Sequence, residues 1–149
     1  MSKLVKIGAA LALSASVSFG ATQADFDAVK AHVEAGVSFC KEVGVPACVA
    51  EFNKKDSKWV KGNLYIWAND FEGVITAHPK KPIKGKNLYK YKDVGGTQLF
   101  KNFIVKVKAD GSGWVDYVWS HPKTNKQTAK TSYVKAIGEN QLIGAGIYK

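Results

Sequence analysis

Two tryptophans, a tyrosine, an aspartate and a histidine fall within Gly111-Ser-Gly-Trp-Val-Asp-Tyr-Val-Trp-Ser-His-Pro122, a segment bracketed by a glycine turn and a proline. An aromatic and β-branched run between two such breaks reads as a strand. Side chains alternate along a strand, so Trp114, Asp116 and Val118 share one face while Val115, Tyr117 and Trp119 share the other. Aromatic side chains with polar tips line small-molecule pockets, and they also fill sheet cores. What the rest of the chain supplies decides between the two.

The N-terminus follows a different pattern. Lys3 and Lys6 precede an apolar and small-residue run from Ile7 to Phe19, and further small residues follow it. That order reads as a secretory signal, with cleavage expected after Gly20 or after Ala24. The run is too short to span a bilayer comfortably, and no later stretch is apolar enough to cross one. Residues 1–24 are therefore read as a signal peptide and 25–149 as one exported domain, expected in a bacterial periplasm, with no membrane span once the signal is removed.

The formal net charge is +10, and loss of the two leader lysines lowers it by two, to +8. The chain has no arginine. Arginine is the preferred residue for bidentate phosphate and base recognition, so nucleic acid is not an expected partner. A positive exterior instead favours the approach of anionic solutes. Cys40 and Cys48 are the two cysteines, and in an oxidising compartment they are expected to form a disulfide around Gly44 and Pro46, with two free buried thiols as the alternative. No histidine sits at ligand spacing from them and no C-x-x-C-H is present, so neither a metal site nor a haem is expected.

The mature part begins with a helical pattern. Phe26, Val29, Val33, Val37 and Cys40 recur at intervals of three and four between Asp25 and about Lys41, which gives one apolar stripe. Gly44-Val-Pro46 breaks it, and a second, shorter helix is expected from Pro46 to Asn53. The polar run 53–58 reads as a loop. Asn63–Ala68 and Gly73–His78 read as two strands of a hairpin closed at 69–73. A loop rich in Lys, Pro and Gly covers Pro79 to Lys92. Leu99–Lys108 suits either a helix or a strand; the spacing of Phe100, Phe103, Ile104 and Val107 favours a helix. After the central strand, Thr128–Ile137 and Leu142–Tyr148 complete five strands with a helical N-terminal cover, an α/β (α+β) chain with an antiparallel sheet.

Six segments, in order, also match a known pattern. They are Asn63-Leu-Tyr-Ile-Trp67 with Asp70-x-x-Gly73; Ala77-His78-Pro79 followed by Gly85-Lys86-Asn87; Asp93-x-x-Gly96; Gly113-Trp114-Val115-x-Tyr117-x-Trp119-x-x-Pro122; Lys130-x-x-Tyr133-Val134; and Gly144-x-Gly146-Ile147-Tyr148. Together they resemble the single-Cache sensor domain of the second subtype, over roughly residues 25–149. The resemblance implies a PAS-like fold in which a five-stranded antiparallel sheet is flanked by a long N-terminal helix and a short second helix. It implies a ligand-binding module without a cofactor. The ligands it implies are small carboxylates such as acetate, propionate, pyruvate or lactate. Such domains usually belong to chemoreceptors or sensor kinases, whereas the chain as given ends at Lys149 just past its last strand. Output is therefore expected through a partner such as a membrane receptor or sensor kinase, or the domain acts as a free binding protein.

The residues at matching positions that suit a carboxylate in an apolar pocket are Tyr65, Trp67, His78, Tyr117, Trp119, Lys130 and Tyr133. Trp114, on the opposite face from Tyr117, is expected to pack the core. Lys130 is expected to supply the counter-charge only because of its position in the pattern, since it is one of 22 lysines. Two other functions compete. One is an accessory interaction protein whose pocket is degenerate. The other is a hydrolase using His78, His121 and Asp116 with Ser112 or Ser120, although no nucleophile-elbow or metal motif fixes their spacing.

Overall fold

A computed structural model describes residues 20–149 of the protein; the greater part of the expected signal peptide lies outside the described residues. Helix α1 (Gln23–Val43) starts at a capping box in which Thr22 and Asp25 satisfy each other's backbone N–H groups. Its buried stripe is Val29, Val33, Val37 and Cys40, joined by His32 and Gly36. Gly44, at φ 89°, ends it and starts α2 (Val45–Phe52), with Pro46 in the first turn. Cys40 and Cys48 form a disulfide across this break.

Strands β1 (Val60–Lys61) and β2 (Leu64–Tyr65) pair as a short ribbon around Gly62. Strands β3 (Trp67–Asp70), β4 (Ile75–Ala77), β5 (Ser112–Ser120), β6 (Gln127–Ile137) and β7 (Gln141–Tyr148) build one antiparallel sheet in the order β4-β3-β7-β6-β5. The strand expected at 63–68 is thus divided at Ile66, its first half serving the ribbon and its second the sheet. Helix α3 (Leu99–Asp110) precedes β5, the alternative that the spacing of Phe100, Phe103, Ile104 and Val107 favours, and ends at Gly111 in the left-handed region, φ 78°.

Alternation along the strands sorts the side chains onto two layers. Helices α1 and α2 cover one face, packing on Ile66, Ala68, Tyr133, Ile137, Ile143 and Ala145. Gly36 permits this approach, since a Cβ there would press against the ends of Ile66 and Ile143. Helix α3 covers part of the other face, where Phe100, Phe103, Ile104 and Val107 meet Trp67, Tyr117, Trp119, Val134 and Leu142. The remainder of that face, towards Lys130 and Tyr65, lies under the loop between β4 and α3.

Candidate functional site

Lys130 lies on the inner face of β6, opposite Tyr117 on β5 and Tyr148 on β7. Its side chain is 1% exposed. The ammonium Nζ donates to Tyr65 Oη at 3.2 Å, and it stands 4.5 Å from the Tyr65 ring centre, 4.8 Å from that of Tyr148 and 6.0 Å from that of Tyr117. Among the described residues, no carboxylate comes within ion-pair distance of it. An aromatic face returns about 2 kcal/mol to a desolvated cation, whereas withdrawing an ion from water costs several kcal/mol. The tyrosine cage therefore leaves the charge undercompensated, and burial lowers the Lys130 pKa to about 7.

The three tyrosines remain neutral around it. Tyr117 Oη and Ser132 Oγ share a hydrogen bond of 2.7 Å, and burial raises the Tyr117 hydroxyl far above its ordinary range. Tyr148 Oη donates to the Ser120 carbonyl at 3.1 Å, and burial pushes its pKa up to about 12. Burial, helped by Tyr117 and Tyr148, also raises Tyr65. The phenols therefore stay protonated and uncharged, the Tyr148 proton committed to Ser120 and that of Tyr65 left to donate.

His78 closes the β4 end of the cluster, its ring 5.1 Å from Tyr65 and 6.1 Å from Trp119. Its Nδ1 accepts the backbone N–H groups of Lys80 at 3.2 Å and Lys81 at 3.0 Å. With Nδ1 so occupied, the neutral ring carries its proton on Nε2. Burial, then the charges of Lys130 and Lys81, lower its pKa to about 3.

Trp119 roofs the site between Phe100 and Tyr91, with Lys81 Nζ 5.5 Å above its ring. A cavity of about 140 Å³ opens here, lined by Tyr65, Lys80, Lys81, Trp119, Ser120, Pro122 and Asn125. It has room for a molecule of a few heavy atoms. The cavity meets the lysine cluster through Tyr65, which stands between it and Lys130 Nζ, and a larger hollow of about 410 Å³ borders the cluster from the other end through Gly146 and Tyr148. The buried Asp93 holds the covering loop in place by accepting N–H groups from Gly95, Thr97 and, on β5, Val118.

The sheet therefore brings Tyr65, His78, Tyr117, Trp119 and Lys130 together. Trp67 shares their face but lies deeper, against Phe103 and Gly144, with its indole N–H donated to Asn69. Tyr133 is on the opposite face: its hydroxyl donates to Glu34 and its ring lies 5.5 Å from Trp114, which also meets Phe26. The β6–β5 register pairs Tyr117 with Lys130, and Tyr133 lies three residues on, which turns it away. Tyr148 and Ser132 join the cluster without having been singled out. Tyr148 ends the Gly144-x-Gly146-Ile147-Tyr148 motif, which was its available signal; Ser132 had none. Asp116 points outward and pairs with Lys149 at 3.1 Å. His121 stacks on Tyr148 at 4.5 Å, its Nδ1 taking the N–H of Lys123. Among the described residues, no group of three or more His, Cys, Asp or Glu side chains is arranged to hold a metal, and no helix is long and apolar enough to cross a membrane.

A family model for the Cache domain matches residues 53–149. The methyl-accepting chemotaxis protein McpP of Pseudomonas putida is 29% identical over 86 residues, 56% of this chain, and the chain spans only 16% of that relative's length. The solved methyl-accepting chemotaxis protein of Vibrio parahaemolyticus aligns with a TM-score of 0.72 at 28% identity, covering 84% of this chain and 88% of the other. A periplasmic sensor domain of a chemotaxis protein aligns with a TM-score of 0.65, also at 28% identity, covering 84% and 90%. A Cache chemosensory domain solved to explain carboxylic acid recognition aligns with a TM-score of 0.72 over 86% of this chain and 99% of the other; at 24% identity it speaks to the fold alone.

Proposed function

The chain belongs to the Cache domain family, and from that premise we propose that it is a periplasmic, non-catalytic sensing module for a small monocarboxylate. The observation that carries this reading is Lys130: a fully buried ammonium with three phenol rings around it and no carboxylate partner among the described residues. A short carboxylate supplies the missing charge and accepts hydrogen bonds from the lysine and from the Tyr65 hydroxyl, whose own proton is not engaged by the contacts described. Its carbon chain rests on Trp119 and His78. The cavity volume of about 140 Å³ favours acids of two to four carbons, such as acetate, propionate, pyruvate or lactate.

Export by the N-terminal signal places the domain in the periplasm, with residues 25–149 as the sensing unit. Occupancy is passed on to a membrane receptor or sensor kinase, in keeping with the chemotaxis roles carried by the names of its relatives. Binding needs no cofactor. The hydrolase reading loses support because Asp116, His121 and His78 each engage separate partners. A thermal-shift screen of the purified domain against short monocarboxylates, dicarboxylates, amino acids and amines tests the proposal. Selective stabilisation by monocarboxylates supports it, since a ligand that binds only the folded state raises its stability. No shift with any of them refutes it.

A further inference from the structure

Among the described residues, the groups around Lys130 Nζ contain no anion. Tyr65 faces it from β2, Tyr117 from β5 and Tyr148 from β7. Ser132, on its own strand, is engaged by Tyr117. His78 borders the cluster from the end of β4 through Tyr65 and Trp119, and Lys81 adds a second positive charge from the covering loop. Lys130 is thus held where a positive charge is disfavoured until a negative one arrives. An entering carboxylate reverses that balance, because only the ammonium form offers it a positive charge together with the N–H groups that Tyr65 does not engage.

We infer that the domain takes up its ligand as an acid equivalent, a carboxylate and a proton together, with the proton carried on Lys130 Nζ. This rests on the carboxylate reading above and adds the regulation of that same site. No other group in the cluster is suited to carry the proton. His78 Nδ1 is occupied by two backbone N–H groups, and burial holds its protonated form far below neutrality. The three phenols are already protonated, and burial keeps them so. The balance is simple: R–NH2 plus H+ from solvent gives R–NH3+, which pairs with the carboxylate, and no covalent bond to the ligand is made. Since burial lowers the Lys130 pKa to about 7, the coupling falls in the range of ordinary periplasmic pH. Above that pKa the output follows the product of acid and proton activities, so the same acid concentration is sensed more strongly as pH falls towards 7; below it the lysine is already charged and the output follows the acid alone.

The test is titration calorimetry of the wild-type domain with acetate, propionate, lactate and pyruvate, repeated in buffers of different ionisation enthalpy so that protons are counted. For the tightest of these acids, uptake of about one proton per ligand is expected near pH 8.5 and of almost none near pH 6. The dissociation constant is expected to weaken about tenfold per pH unit above pH 8. Lys130→Arg, whose guanidinium does not lose its proton, removes the pH dependence wherever it binds; the proton count on the wild type needs no variant. Binding with no proton uptake and an affinity flat from about pH 6 to pH 9 overturns this inference while leaving the carboxylate reading intact. Absence of binding by all four acids overturns both.

Discussion

The carboxylate of Asp93 accepts the backbone N–H of Val118 at 2.7 Å, on the side of β5 that has no neighbouring strand. Asp93 is 6% exposed, and its other oxygen receives Gly95 and Thr97. One side chain thus caps a sheet edge and anchors the loop that covers Trp119.

Asp93→Ala leaves these N–H groups without their acceptor. The expected loss is about 2 kcal/mol of stability, the range for a buried hydrogen-bonded charge. Amide exchange is expected to speed up first in residues 79–97 and at Val118, with β6 and β7 still protected. Uniform acceleration over the whole sheet contradicts a local clamp.

Lys130 holds its proton less firmly folded than unfolded, since its pKa falls from 10.5 to about 7. Between those values the unfolded chain binds more protons, so stability from this group increases as pH rises through the window and gains nothing below it. Lys130→Met carries no such term. In the absence of ligand, wild type is expected to gain up to about 1.4 kcal/mol per pH unit relative to Lys130→Met above pH 7. Denaturant unfolding of both at several pH values measures this. A constant difference contradicts a buried, titrating lysine.

The capping box bears on processing. Cleavage after Gly20 leaves Thr22 in place, whereas cleavage after Ala24 removes the cap and the first two helical residues, Gln23 and Ala24. The exported protein is expected to begin at Ala21, as read by intact mass. Thr22→Ala is expected to cost about 1 kcal/mol. A mature chain that begins at Asp25 contradicts the first statement, and a Thr22→Ala chain as stable as wild type contradicts the second.

Much of this architecture is legible in the sequence because local periodicity is strong where it matters. The three-and-four spacing from Val29 to Cys40 marks α1, and that of Phe100 to Val107 decides the ambiguous segment as α3. Alternation in β5 separates Trp114 from Tyr117 and Trp119. What periodicity cannot supply is the register between strands. The pairings Tyr117 with Lys130 and Lys130 with Tyr148 place three side chains on one patch, and they follow from long-range pairing. The same pairing puts Tyr133, grouped with the ligand residues by motif, under α1 beside Glu34. Gly146 belongs to this level too. A Cβ there would press on Ser132 Oγ and lie 3.0 Å from Lys130 Cε, a constraint visible only once β6 and β7 are side by side. The β1–β2 ribbon has no signal of its own, since two-residue strands around Gly62 have no periodicity to read.

We propose Lys130 as the counter-charge of a carboxylate site on the α3 side of the sheet. The most direct measurement is calorimetric titration, near neutral pH, of wild type, Lys130→Met and Tyr133→Phe with the monocarboxylate that most stabilises wild type. Lys130→Met, folded by circular dichroism, is expected to lose affinity at least about 100-fold, the consequence of removing one buried charge-assisted partner. Tyr133→Phe, which acts on the other face, is predicted to stay within about twofold of wild type, as expected for a residue that does not touch the ligand. Retention of wild-type affinity by a folded Lys130→Met contradicts a counter-charge role for this lysine.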